Sequence, residues 1–228
     1  MTTQQINHLY ILKEKNKTME EKTYNEQWED VAKTEDAHKA IATTYYQNEK
    51  YYNLSGITTL NQFLVFIDNE YKDNCQDLTV LEIGCGTGRE TKYLSDCFKE
   101  VIAVDASETM VEKGKKRVTS DNVRWYANKS GDLSEVADNS VDVVYSFIVF
   151  QHCKFDTVKE YYKEVQRVLK SGGKFTFQLG VFDMDVEPIS YGDVGKRTIK
   201  TLRQDLTEAG FKIDNIANNH FELHICTK

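Results

Sequence analysis

The stretch Thr79 to Gly88, TVLEIGCGTG, constrains this chain more than any other. A short apolar run, Val80, Leu81 and Ile83, gives way to Gly84, Gly86 and Gly88, and Arg89 to Phe98 has the composition of a helix. Strand, glycine loop and helix in that order open many α/β nucleotide sites. Glycine takes positive φ without steric cost and lets backbone approach a ligand where a Cβ would intervene. Such a loop gathers N–H groups and the positive end of a helix at one spot, which suits an anionic or acceptor-rich ligand.

The spacing narrows the ligand. The dinucleotide fingerprint GxGxxG needs a third small residue where this chain has Arg89, and no Gly-Lys-Ser/Thr follows Gly84 to support triphosphate chemistry. The next apolar run, Val101 to Val104, ends in Asp105, about twenty residues past the loop, where α/β sites place a carboxylate for ribose hydroxyls. An adenosine-containing ligand with no need of a pyrophosphate fits both observations.

LEIGCGTG followed by VIAVDAS resembles motifs I and II of the class I S-adenosylmethionine-dependent methyltransferases, from roughly Thr79 to the C-terminus. The resemblance implies S-adenosyl-L-methionine as cofactor and S-adenosyl-L-homocysteine as product. It also implies a doubly wound α/β fold: a mostly parallel seven-stranded sheet with an antiparallel C-terminal strand, and N-terminal helices capping the site. Residues 1–72 are then the helical cap and 73–228 the cofactor-binding domain.

The rest of the chain supports that architecture. Trp28, Val31, Ala32, Ala37, Ala40, Ile41, Thr44 and Tyr45 fall at helical spacing, and Leu60, Phe63, Leu64 and Ile67 make one apolar stripe in a helix expected over Ile57 to Tyr71. Ser107 is placed to cap a helix running to about Val118, and Asp156 to cap another that Ser171-Gly172-Gly173 stops. Strands are expected at Val123 to Tyr126, Val141 to Phe147 and Lys174 to Leu179. Ile199, Leu202, Leu206 and Ala209 mark a last helix, closed by Gly210. Phe211 to Ile216 and Phe221 to Thr227 read as strands separated by Ala217 to His220, too few residues for a parallel crossover, so as neighbours they must pair antiparallel.

Several site roles follow from the resemblance. Glu82 is the acidic residue that helps hold the methionine ammonium; a strand-end carboxylate bonded to nearby backbone is the alternative. Gly84, Cys85, Gly86 and Gly88 form the cofactor loop, and Asp105, flanked by Ala106 and Met110, holds the ribose; a helix-capping Asp before Ser107 is the alternative. In ANKSGDL, Asn128, Ser130 and Asp132 compete to read the adenine, with Leu133 covering a face; a solvated turn is the alternative for some of them. Ser146, Phe147 and Gln151, in SFIVFQH, pass beside the methionine end, and His152 is the candidate general base. The rival role for His152 and Gln151 is hydrogen bonding alone, since alignment suffices for many methyl transfers. Trp28, Tyr51 and Tyr52 line the acceptor site if the N-terminal helices form a lid, or pack helix ends if they do not. Asp183, with Asp185 and Glu187, either recognises the acceptor or is a solvated loop. None of these residues forms a convincing metal site.

Charge and composition bound the partners. A net charge of −7 and a pI near 5.3 argue against nucleic acid held on a broad basic face. With one proline, Pro188, the chain carries neither the Pro-Pro-aromatic tetrad of amino-methylating DNA enzymes nor the Pro-Cys nucleophile of cytosine-C5 enzymes. Five scattered cysteines without a CxxC pair fit a reducing cytoplasm better than a disulfide framework. No stretch reads as a membrane span. The expected activity is O- or N-methylation of a small molecule. A protein or tRNA acceptor, or a non-catalytic cofactor-binding scaffold, are the alternatives.

Overall fold

The computed structural model describes residues 24–34, 48–72, 74–179, 198–216 and 223–228. Seven strands form one sheet: β1 (Thr79–Ile83), β2 (Glu100–Asp105), β3 (Val123–Ala127), β4 (Val141–Ser146), β5 (Leu169–Phe177), β6 (Lys212–Asn215) and β7 (His224–Thr227). Their order is β3-β2-β1-β4-β5-β7-β6. The pairs from β3 to β5 are all parallel, whereas β7 runs antiparallel to both β5 and β6. Strand order reverses between β1 and β4, and the crevice outside their carboxyl ends is where open α/β sheets bind ligands.

Six helices accompany the sheet among the described residues: α1 (Tyr24–Lys33), α2 (Glu49–Tyr71), α3 (Thr91–Cys97), α4 (Glu108–Arg117), α5 (Phe155–Val168) and α6 (Ile199–Glu208). Alternation along the strands divides the core. Leu81, Ile83, Val104, Val144, Phe175 and Phe177 pack against Val158, Tyr162 and Val165 of α5 and Leu202 and Leu206 of α6. Val80, Val101, Val143 and Tyr145 join Leu60, Phe63 and Ile67 of α2 and Leu94 of α3 in a second cluster. Glu82, between Leu81 and Ile83, carries a charge-capable group into that second face.

Most elements lie where the pattern put them, with three instructive differences. Helix α2 begins at Glu49 rather than Ile57, because Asn48 caps it by accepting a hydrogen bond from Lys50 N at 2.8 Å. Its Ser55-Gly56 pair, which precedes the expected start, lies inside the helix. Gly56 sits there because the chain after the glycine loop passes so close that a Cβ on it would lie 2.7 Å from the Arg89 carbonyl oxygen. At α5, Lys154 is the N-cap residue and makes no side-chain cap bond, while Asp156 sits in the first turn, where the helix dipole still favours a carboxylate. Ser171-Gly172-Gly173 does not end that helix; it lies within β5, where Gly172 has φ +78° and the β4–β5 register shifts. A Cβ on Gly173 would lie 2.9 Å from the carbonyl oxygens of both Asp142 and Lys170. These glycines serve a strand irregularity. The expected helix over Ala37 to Tyr45 and the loop bearing Asp183, Asp185 and Glu187 lie outside the described residues.

Gly56→Ala separates helix propensity from packing. Propensity alone would gain about 1 kcal/mol, but the backbone contact at Arg89 should reverse the sign. The expected result is a lower denaturant midpoint at unchanged m-value; a higher midpoint would refute the close approach.

Candidate functional site

The glycine loop leaves β1 at the crevice with Gly84, Gly86 and Gly88 at φ +78°, +52° and +76°. It is tied to the neighbouring strand: Gly84 N and Cys85 N donate to Val104 O at 2.8 and 3.1 Å, and Gly86 N donates to Asp105 Oδ2 at 2.8 Å. The other oxygen of Asp105 accepts from Ser107 N at 2.9 Å. Burial pushes the Asp105 carboxyl up and those backbone bonds pull it down, with a net rise. Each carboxylate oxygen retains a further lone pair for a ligand hydroxyl. The segment after β4 packs on this loop so tightly that a Cβ on Gly84 would lie 2.2 Å from Val149 Cγ2.

A pocket opens between these parts, lined by Asp105, Ala106, Met110 and Ser130 and by Glu82, Arg89 and Glu90. Gly84, Cys85 and Gly86 line it, as do Phe147, Ile148, Val149, His152, Cys153 and Tyr161 from the following segments. Glu82 is only 3% exposed. Burial, with Glu90 close by, raises its carboxyl to about 8, although Thr91 Oγ1 donates to its Oε2 at 2.5 Å.

Helices α1 and α2 each contribute a residue to the pocket wall, Trp28 and Tyr52. From α2, the Tyr52 hydroxyl meets Thr87 Oγ1 at 2.9 Å, and the guanidiniums of Arg89 and Arg117 lie 5.6 and 5.2 Å from its ring centroid. Arg89 also donates to Ser55 Oγ at 2.9 Å and pairs with Glu90 at 2.6 Å, while Tyr93 OH donates to Asn53 O at 2.8 Å. Helix α1 docks on α4 reciprocally. Its Glu29 carboxylate accepts from Ser107 Oγ (2.6 Å), Thr109 N (3.2 Å) and Thr109 Oγ1, so it serves the start of α4 as a tertiary cap. In return, Lys113 Nζ donates to Ala32 O and Thr34 O at 2.5 and 2.9 Å. The Trp28 ring meets His152 edge to face, with centroids 5.5 Å apart.

His152 belongs to a relay whose polarity can be traced. The Ile148 N–H donates to Gln178 Oε1 (3.1 Å), which turns the Gln178 amide nitrogen toward Gln151 Oε1 (a weak contact at 3.5 Å). The Gln151 amide nitrogen then donates to His152 Nε2 at 3.2 Å, leaving the proton on Nδ1. Burial lowers this imidazole to about 4, so it is neutral at physiological pH.

The other named residues divide as follows. Trp28 and Tyr52 line the pocket, whereas Tyr51 is 57% exposed and does not. Gly88 packs under Trp125, Val118 and Gly114. Asn128 is half-buried with its amide on Asp132 O at 3.3 Å, and Leu133 is in the core. Ser146 Oγ donates to Ile83 O at 3.2 Å. Of the three candidate adenine readers, Ser130 alone is in the pocket wall. The sequence reading missed Glu29, Arg89 and Glu90. A charged pair directly after the last loop glycine was a usable signal for Arg89 and Glu90, since that turn enters a buried helix. Nothing local marks Glu29, whose role exists only across α1 and α4.

The parts suit S-adenosyl-L-methionine: a carboxylate bonded to the loop for hydroxyls, glycines where side chains would intrude, and two further buried carboxyls for an ammonium. The methyltransferase domain family matches residues 81–177. A probable S-adenosylmethionine-dependent methyltransferase of Saccharomyces cerevisiae is 29% identical over 150 residues, covering 64% of this chain and 47% of its own. A malonyl-[acyl-carrier protein] O-methyltransferase of Priestia megaterium is 36% identical over 107 residues, 45% of this chain and 36% of its own. The chain thus spans under half the length of these two relatives. The methyltransferase solved in complex with the Haloferax volcanii Trm112 methyltransferase activator superposes with TM-score 0.63 at 16% identity, over 88% of this chain and 96% of that one. Residues 81–177 therefore resemble a methyltransferase domain, set on a fold that solved methyltransferases share.

The Glu29 cap carries a pH signature. Hydrogen bonds from Ser107 and Thr109 hold its carboxyl below the usual value. A lowered carboxyl stabilises the fold at neutral pH, and that contribution is lost as pH falls through the lowered value. Glu29→Ala should therefore cost about 1 kcal/mol at pH 7, shrinking toward pH 3, with faster amide exchange in α1. Equal stability of the two proteins at pH 7 would remove the cap.

Proposed function

We propose that this chain transfers the cofactor methyl to oxygen or nitrogen of a small molecule seated beneath α1 and α2. The supporting observation is the shape of the pocket: aromatic and aliphatic side chains, Trp28, Phe147, Ile148 and Val149, close the side beside the glycine loop. A malonyl-[acyl-carrier protein] O-methyltransferase among the relatives supports transfer to oxygen. When bound, S-adenosyl-L-methionine supplies a methyl group on a sulfonium that leaves as a neutral thioether. The chain's task is then alignment and exclusion of water.

On this reading Asp105 holds the ribose hydroxyls, the Gly84 to Gly86 backbone holds the body of the cofactor, and Glu82 faces its ammonium. Ser130 and Met110 border the adenosine side. His152 does its work as a neutral group: Gln151 occupies its Nε2, so the imidazole shapes the acceptor side with Trp28 through Nδ1–H. Proton abstraction would need Nε2 released and a stronger base than one titrating at about 4.

Two measurements check these roles. Asp105→Ala should weaken S-adenosylhomocysteine binding by about 10- to 150-fold, the loss of a charged hydrogen-bond partner worth roughly 1.5 to 3 kcal/mol; undiminished affinity by calorimetry would exclude Asp105. His152→Ala should lower kcat by less than about 100-fold, the lower bound for general acid–base catalysis; a larger loss with intact cofactor binding would restore it as a base. The acceptor class is tested by incubating the protein with methyl-labelled cofactor and cell extract, then separating small molecules, protein and RNA. Label is expected in the small-molecule fraction. Label in protein or RNA would overturn the acceptor class, and label in none would favour a scaffold.

A further inference from the structure

The pocket wall around Glu82 holds more acid than one strand-end carboxyl. Glu82 on β1 and Glu90 at the start of α3 both line the pocket, 3% and 6% exposed. Each has one oxygen engaged: Glu82 Oε2 by Thr91 Oγ1 at 2.5 Å, and Glu90 Oε1 by Arg89 at 2.6 Å and Thr59 Oγ1 at 2.5 Å. The second oxygen of each is not used by these bonds. Beside them, Tyr145 on β4 stands opposite Glu82 in the sheet register and is 0% exposed. Its hydroxyl makes no hydrogen bond of ordinary geometry, although Glu90 is the group it faces. A fully buried hydroxyl left in that state, beside two carboxyl groups that each have an oxygen to spare, fits a ligand that donates several hydrogen bonds at once.

We propose that Glu90 and Tyr145 act with Glu82 as a three-acceptor seat for the primary ammonium of the cofactor's methionine half, and that filling this seat expels a proton from the protein. This rests on the cofactor reading given above. An ammonium has three N–H donors, and the spare oxygens of Glu82 and Glu90 with the Tyr145 hydroxyl make three acceptors. Charge accounting supplies the proton. In the empty seat, Glu90 is balanced by Arg89, and Glu82 is protonated because burial and Glu90 raise it to about 8. An ammonium seated between these oxygens favours the ionised form of Glu82, so the Glu82 O–H bond breaks, its electron pair staying on the carboxylate and its proton passing to solvent. The other groups facing Glu82 are Asp105 from β2, Cys85 from the loop, and Tyr145 from β4; Tyr52 and Thr59 of α2 face Glu90. Burial holds the Cys85 thiol and the Tyr145 and Tyr52 phenols well above neutral, so they contribute no proton near pH 7.

The test compares two ligands by titration calorimetry in buffers of different ionisation enthalpy. S-adenosylhomocysteine carries the ammonium, whereas methylthioadenosine keeps the adenosine and lacks the amino-acid end. Wild-type protein should release about one proton per S-adenosylhomocysteine at pH 7 and bind it up to about tenfold more tightly per pH unit between pH 6 and 7.5, with neither effect for methylthioadenosine. Glu82→Gln should abolish the release. Glu90→Gln should weaken S-adenosylhomocysteine by tenfold or more, and Tyr145→Phe by a few fold with the release retained, both leaving methylthioadenosine unchanged. If both ligands bind and no proton is released, or if Glu90→Gln weakens both equally, the seat is refuted while the cofactor site stands. If neither ligand binds wild-type protein, the cofactor reading itself fails. The wild-type proton count needs no variant, so a misfolded substitution cannot mask the result.

Discussion

The hydrogen bond from Gly86 N to Asp105 Oδ2 is the contact on which the rest of the site depends. It joins the loop leaving β1 to the tip of β2 and so fixes the floor of the crevice. That geometry needs positive φ at Gly84, Gly86 and Gly88, which explains the glycines, and a strand-end carboxylate that also starts α4, which explains Asp105 before Ser107. Sequence spacing and crevice geometry are one constraint seen twice.

Around that floor the carboxyls differ in chemistry. At Asp105, backbone N–H groups offset the cost of burial. Near it, Glu82 and Glu90 are buried together with the Arg89 guanidinium, and burial raises the Glu82 carboxyl. The helices above are fastened to the same parts that form the floor: α2 to Thr87 and Arg89, α1 to Ser107 and Thr109. A ligand filling the pocket would touch floor and roof together. Roof and loop are therefore expected to gain order jointly when it binds.

Much of this was legible in the sequence because it is local. Alternation and glycine spacing marked β1 and its loop, the Asp105-Ala106-Ser107 run marked the β2 tip and the cap of α4, and the short linker before β7 forced an antiparallel partner. What escaped was set by contacts distant in sequence. Gly56 lies before the expected helix start at Ile57 yet inside α2, with the Arg89 carbonyl against it, and the Ser171 to Gly173 turn looks like a helix stop until the β4–β5 register shift gives it another use. Glu29 has no local mark because its partners lie about eighty residues away in α4. The direction of the Gln178-Gln151-His152 relay depends on the backbone amide of Ile148, which no residue pattern encodes.

The central claim is that the crevice between the glycine loop and the β2 tip is the seat of an adenosyl-methionyl ligand. A crystal structure grown with S-adenosylhomocysteine tests it most directly. The account requires the ribose hydroxyls on Asp105 and the amino group between Glu82 and Glu90. Density for the ligand elsewhere, or the same crevice filled by a phosphate-bearing nucleotide with Asp105 turned away, would contradict it.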